Sequence, residues 1–98
     1  MDSIQSDLAR LHATVHGRVQ GVNFRSFVFH HASAMDLAGY VRNLYGGRTV
    51  EVWAEGPRDR LERLIELLHE GPRAARVDEV EVEWSDYHGD LPAFDVEF

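Results

Sequence analysis

The sequence predicts an α+β fold of the split βαβ type, in the order βαββαβ with a short final edge strand. Three observations lead there. Apolar and polar residues alternate in four separate segments, two intervening segments repeat apolar residues at helical spacing, and glycines stand at most junctions. Strict alternation marks a strand with one buried face, because successive side chains point to opposite sides. That element order lays both helices on one face of an antiparallel sheet and leaves the other face open.

Each element has its own signature. Within residues 8–16, Leu11, Ala13 and Val15 face one way and His12, Thr14 and His16 the other. Beyond Gly17 and Gly21, Phe24, Phe27, Val28, His31 and Met35 recur at helical spacing, with Asn23 at the N-cap. Gly39 is expected to end this helical region, and Tyr40 to Leu44 to form the second strand. Gly46-Gly47 marks a hairpin into a third strand, where Val50, Val52 and Ala54 alternate with Glu51, Trp53 and Glu55. Gly56-Pro57 opens the second helix, with Pro57 in its first turn, where a missing N–H costs nothing. Leu61, Leu64, Ile65 and Leu68 form its apolar stripe, and Gly71-Pro72 ends it. Val80, Val82 and Trp84 then alternate with Glu79, Glu81 and Glu83, and Phe94, Val96 and Phe98 suggest a short fifth strand. His12, Thr14, His16, Glu51, Trp53 and the three glutamates fall on the open face, where the glutamates are expected to be solvated. Residues 1–7 are expected to form a flexible tail and 8–98 a single domain.

Composition narrows the function classes. Ninety-eight residues suffice for one core. The absence of cysteine excludes disulfides, thiolate metal sites and cysteine nucleophiles. No apolar run reaches the roughly 18 residues of a membrane span, and the first residues lack a signal-peptide pattern, so a cytoplasmic location with no membrane partner is expected. A net charge of −7 argues against nucleic acid. Five of the ten basic residues, Arg10, Arg18, Arg25, Arg42 and Arg48, nevertheless lie in the first half, which suits a local pocket for a small anion. The histidines do not gather as metal ligands. His12 and His16 are about 13 Å apart along their strand, while His30 and His31 diverge on a helix. No metal and no other cofactor is expected, and a monomer is.

The most informative stretch is Gly17-Arg18-Val19-Gln20-Gly21-Val22-Asn23-Phe24-Arg25. Two glycines let a short loop approach a ligand closely. The helix that follows delivers backbone N–H groups at its positive end, a ready site for an anion. Arg25, in the first helical turn, can grip two oxygens of one phosphate. The same pattern also suits a plain strand-to-helix turn. Strand parity puts Asn43 on the face of Val41, toward the helices, so the loop, Arg25 and Asn43 can meet at one end of the sheet. Asn43 also suits a strand-end residue bonding a neighbouring turn.

Val19-Gln20-Gly21-Val22-Asn23-Phe24-Arg25 followed by Gly39-Tyr40-Val41-Arg42-Asn43 resembles the acylphosphatase family. Similarities at Val50-Glu51, Gly56, Gly71-Pro72 and Val77 extend the likeness from residue 9 to Phe98. The resemblance implies a ferredoxin-like fold and hydrolysis of the mixed anhydride of a carboxylic acid and phosphate. It implies Arg25 and Asn43 as catalytic residues, the first holding phosphate and the second positioning water. It also implies a cradle of amides from Val19, Gln20, Gly21, Val22, Asn23 and Phe24. One departure stands out: Gly46-Gly47-Arg48-Thr49 makes the hairpin one residue longer than is usual in the family and lacks its aspartate, and a slipped hairpin would displace Asn43.

The chemistry fits these residues. A carboxylate with a conjugate acid of pKa about 4 leaves without a general acid. Phosphoryl transfer then asks the protein mainly for positioning and for stabilisation of charge on the equatorial oxygens. Inorganic phosphate or sulfate should compete for the same cradle. Two other readings stay open at this stage: a non-catalytic binding module on the same fold, and a related domain that binds phosphate without turnover. An RNA-binding module would want exposed aromatic and basic residues where this chain carries histidines and glutamates.

Overall fold

The computed structural model describes residues 7–98, so the expected tail lies, except for Asp7, outside the described residues. The elements run β1 (Leu8–Arg18), α1 (Phe24–Ala34), β2 (Ala38–Asn43), β3 (Thr49–Pro57), α2 (Arg58–Glu70), β4 (Arg76–Asp86) and β5 (Asp95–Glu97). They make one five-stranded sheet in the order β4-β1-β3-β2-β5. The first four strands pair antiparallel, as expected, but β5 lies parallel to β2, with Val41 opposite Val96, so the sheet is mixed.

The alternating residues behave as their period requires. Leu11, Ala13, Val15, Val41, Val50, Val52 and Ala54 are fully buried, and they meet Phe24, Val28 and Ala32 of α1 and Leu61, Leu64 and Leu68 of α2. Burying one large aliphatic or aromatic side chain contributes about 1.5–3 kcal/mol, so this layer between sheet and helices is the main source of stability. No helix among the described residues is long and apolar enough to cross a membrane.

Two local expectations are corrected. Gly39 does not end α1. The helix stops at Ala34, Asp36 takes the left-handed turn at φ 55°, and Gly39 lies inside β2. Gly39 is required there by a close approach: a Cβ would sit 1.9 Å from the carbonyl oxygen of Trp53 on β3, with φ at 140°. Pro57 closes β3 and occupies the N-cap of α2 rather than its first turn. Its fixed φ still suits the junction, because the N-cap is extended and needs no donor.

On the open face, the fourth-strand glutamates are exposed, as expected, and two of them also meet histidines. His16 Nε2 lies 3.0 Å from Glu81, and His12 bridges Glu51 at 2.8 Å and Glu83 at 3.4 Å. His12 also stacks on Trp53 with ring centroids 4.2 Å apart. Burial pushes the Glu51 carboxyl up, but hydrogen bonds from His12 and Arg42 and their nearby charges outweigh it. The net result is a pKa below the ordinary value.

Candidate active site

The site forms at the sheet end where β1 runs out. A register irregularity between His16 and Gly17 re-aims the strand just before the glycine loop. In that loop Gly21 and Asn23 both adopt left-handed angles, at φ 75° and 64°. Asn tolerates this region better than other side-chain-bearing residues. Asn23 therefore holds the N-cap position of α1 by backbone conformation, with no side-chain cap bond, contrary to the usual role of that residue. The result is a run of N–H groups around a concave turn. None of the amides of residues 20–23 makes a backbone hydrogen bond among the described residues, and the helix's own first bond is Phe27 N–H to Asn23 C=O at 3.1 Å. The first-turn amides of any helix lack intrahelical partners, so the loop and the helix start together present several donors to one place.

A cavity of about 400 Å³ lies over those donors. Val19, Gly21, Asn23, Phe24 and Arg25 line one wall, Asn43 lines another, and Val96 and Phe98 close the side next to β5. The arginine at the start of α1 and the strand asparagine, 18 positions apart in sequence, are thus brought to one cavity. Gln20 and Val22 do not line it. The Gln20 amide instead donates to the carbonyls of Leu44 at 2.8 Å and Thr49 at 2.9 Å, which ties the loop to the hairpin. Val22 packs against the core.

Two of the polar side chains lining the cavity, those of Arg25 and Asn43, differ in their engagement. Arg25 Nη1 donates to the carbonyl of Glu97 at 3.0 Å, and its guanidinium lies 4.7 Å over the Phe98 ring. This uses one face and one donor of the fork, leaving the other donors of a residue that lines the cavity without a partner among the described residues. Asn43 Oδ1 is buried with no hydrogen-bond partner among the described residues. The longer Gly46-Gly47 hairpin has not displaced this residue. Asn43 stands in register opposite Val50, and the hairpin closes beyond it through Leu44 N–H to Thr49 C=O at 2.9 Å. Nor does the Asn43 oxygen bond a neighbouring turn.

A second cleft, of about 440 Å³, is lined by Arg18, Arg48, Arg76 and Asp78. Its positive charge is partly answered, since Asp78 lies 3.3 Å from Arg48 and 3.7 Å from Arg76. It also lacks the converging amides of the loop. The smaller cavity is therefore the candidate site.

Sequence reasoning missed three contributions here. The Gln20 side chain holds the loop, the Glu97 carbonyl orients Arg25, and Val96 with Phe98 forms a wall. Alternation at Phe94, Val96 and Phe98 signalled a strand, but nothing in it indicated which strand would be its neighbour.

The chain is similar to known proteins in both sequence and fold. The family model described as Acylphosphatase matches residues 11–96. An acylphosphatase of Salinibacter ruber is 54% identical over 77 residues, covering 79% of this chain and 80% of that protein. One of Caldivirga maquilingensis is 49% identical over 89 residues, covering 91% and 94%. The solved structure of an acylphosphatase from Coxiella burnetii superposes with a TM-score of 0.87 at 38% identity, covering 99% of this chain and all of that one.

Proposed function

Because the chain belongs to the acylphosphatase family, we propose that its reaction is divided between a phosphate cradle, made of Arg25 and the 19–24 amides, and a water held by Asn43. The overall reaction is hydrolysis of the carboxyl–phosphate anhydride of an acyl phosphate to a carboxylate and inorganic phosphate. In this reading the positive end of α1 and the Arg25 fork stabilise charge spread over the equatorial phosphate oxygens. The Asn43 carbonyl oxygen accepts a hydrogen bond from the attacking water and aims its lone pair at phosphorus. An amide is far too weak a base to remove the proton, which passes to a phosphate oxygen. The new bond joins water oxygen to phosphorus, and the bond from phosphorus to the acyl oxygen breaks. The departing carboxylate needs no protonation, so the reaction requires neither general acid nor metal.

The observation that carries this reading is the unpartnered Asn43 Oδ1 beside a cavity lined by the loop and Arg25. A buried acceptor with no partner costs about 1–3 kcal/mol, a cost that a role in binding water explains. Inorganic phosphate and sulfate would compete in the cradle, and the enzyme would work as a cytoplasmic monomer.

Paired variants test the division. Arg25→Ala should weaken phosphate binding and abolish most turnover. Asn43→Ala should leave phosphate binding in place while kcat on benzoyl phosphate falls by roughly two orders of magnitude, the scale of losing one positioned polar group. Circular dichroism establishes that both fold. Normal phosphate binding and turnover in Arg25→Ala would refute the cradle, and near-normal kcat in Asn43→Ala would refute the water site.

A further inference from the structure

We propose that Glu55 is a positioning residue for the phosphate site: its buried carboxylate latches the chain segment that carries β5, and β5 in turn orients Arg25. The proposal rests on the reading of Arg25 as the phosphate's partner.

The strand order creates the need for a latch. β4 and β5 lie on opposite edges of the sheet, so residues 87–94 must cross β1, β3 and β2. Four strand spacings amount to roughly 19 Å. Over that span the segment is mostly exposed, and Phe94 is its one buried side chain. Apolar burial therefore does little to hold the crossing in place before Phe94.

Glu55 supplies the hold from the central strand β3. It is 1% exposed, the single buried charged side chain among the described residues. The backbone N–H of His88 donates to its Oε2 at 2.8 Å and that of Gly89 to its Oε1 at 3.0 Å. One amide per oxygen fixes both the height and the direction of the turn. Arg10 Nη1 lies 3.4 Å from Oε2, 2.8 Å from His88 Nδ1 and 3.2 Å from Asp90 Oδ1. Glu55, His88 and Asp90 converge closely enough to suggest a cation, but the Arg10 guanidinium already stands between them. A carboxylate this buried is tolerated only with such partners. With the crossing segment lifted away, Glu55 would lose two donors at once, so its burial favours the docked segment.

The docked segment leads directly to the site. Gly39 N–H donates to Pro92 C=O at 2.8 Å, and Asp95–Glu97 then pairs with Tyr40–Arg42. β5 is only three residues long, so its place depends on what precedes it. From that place the Glu97 carbonyl accepts the Arg25 bond, and Phe98 lies under the guanidinium. The carboxylate itself touches nothing in the cavity.

The test is a double-mutant cycle with inorganic phosphate as the ligand, joined to amide hydrogen exchange. Glu55→Gln keeps the shape but turns one acceptor into a donor facing an N–H. It should speed exchange over residues 88–97 while Val50 and Val52 stay protected. It should also weaken phosphate binding by roughly tenfold or more, the scale of a displaced positioning contact. In an Arg25→Ala background, the same substitution should change phosphate affinity by less than about twofold, because the coupled partner is gone. An equal factor in both backgrounds, or unchanged exchange and affinity in the first, overturns the proposal. Should Glu55→Gln fail to fold, Arg10→Met loosens the latch from the solvent side and carries the same expectations with a smaller shift. Phosphate affinity unmoved by Arg25→Ala alone would refute the Arg25 assignment, and this proposal with it.

Discussion

Replacing Asn43 by Leu should stabilise the protein and disable it in one step. The side-chain oxygen is buried with no hydrogen-bond partner among the described residues, and an unsatisfied buried acceptor costs about 1–3 kcal/mol. Leu keeps the branch at Cγ, brings no polar atom, and suits a strand better than Asn. The residue is only half-buried as a whole, so a gain near the lower end, about 1 kcal/mol, is expected in phosphate-free buffer if the water is held only in the substrate complex. For a domain of 98 residues this corresponds to a rise in Tm of roughly 4–8 °C. Turnover of benzoyl phosphate should meanwhile fall by roughly two orders of magnitude. Thermal melts followed by circular dichroism read the first effect and steady-state hydrolysis the second. Because the cradle is untouched, phosphate at 100 times its Kd should still add about 2.7 kcal/mol to both proteins. A variant that melts below the parent would show that water already satisfies Oδ1 in the substrate-free protein and would refute the stability gain. A variant that keeps its turnover would show that some other group positions the water.

Three further outcomes are expected. Gly39→Ala should destabilise by at least about 3 kcal/mol, the sum of overpacking and a disfavoured φ, since its Cβ would meet the Trp53 carbonyl at 1.9 Å. A fall in Tm of less than roughly 12 °C would refute that contact. The Glu51 carboxyl has a folded-state pKa below its ordinary 4.5. Its contribution to stability is therefore present above pH 4.5 and lost as the pH falls through the folded value. Urea unfolding at stepped pH should show a gap between the parent and Glu51→Gln that is steady near neutrality and closes in acid; a gap that widens in acid contradicts the sign. Finally, benzoyl phosphate should be hydrolysed in the presence of EDTA while an alkyl phosphate is left nearly untouched, because among the described residues none lining the cavity is an acid able to protonate an alkoxide. Comparable rates on the two substrates, or loss of activity restored by zinc or magnesium, would refute the mechanism.

Much of this molecule is written in short-range pattern. Alternation at Leu11, Ala13 and Val15, and helical spacing at Leu61, Leu64 and Leu68, report burial directly, because a side chain's direction follows from its place in the period. Parity alone put Asn43 on the face of Val41, and the two glycines before Phe24 announced a loop able to bring amides close to an anion. What pattern could not convey are relations between segments distant in the chain. Alternation gives a strand its faces but not its neighbour, so β5 could be foreseen as an edge strand and not as the parallel partner of β2. The need for Gly39 comes from a carbonyl on another strand, not from a turn in its own. Glu55 falls on the nominally open face, and it is buried because a segment more than 30 positions later folds over it. The histidines and glutamates of that face pair across strands whose register is set by the hairpin and the core. Local steric and hydrophobic preferences act within a few residues and survive in the sequence as periodicity. Partnerships across the sheet come into being only when the chain collapses and each buried polar group must find a donor or acceptor.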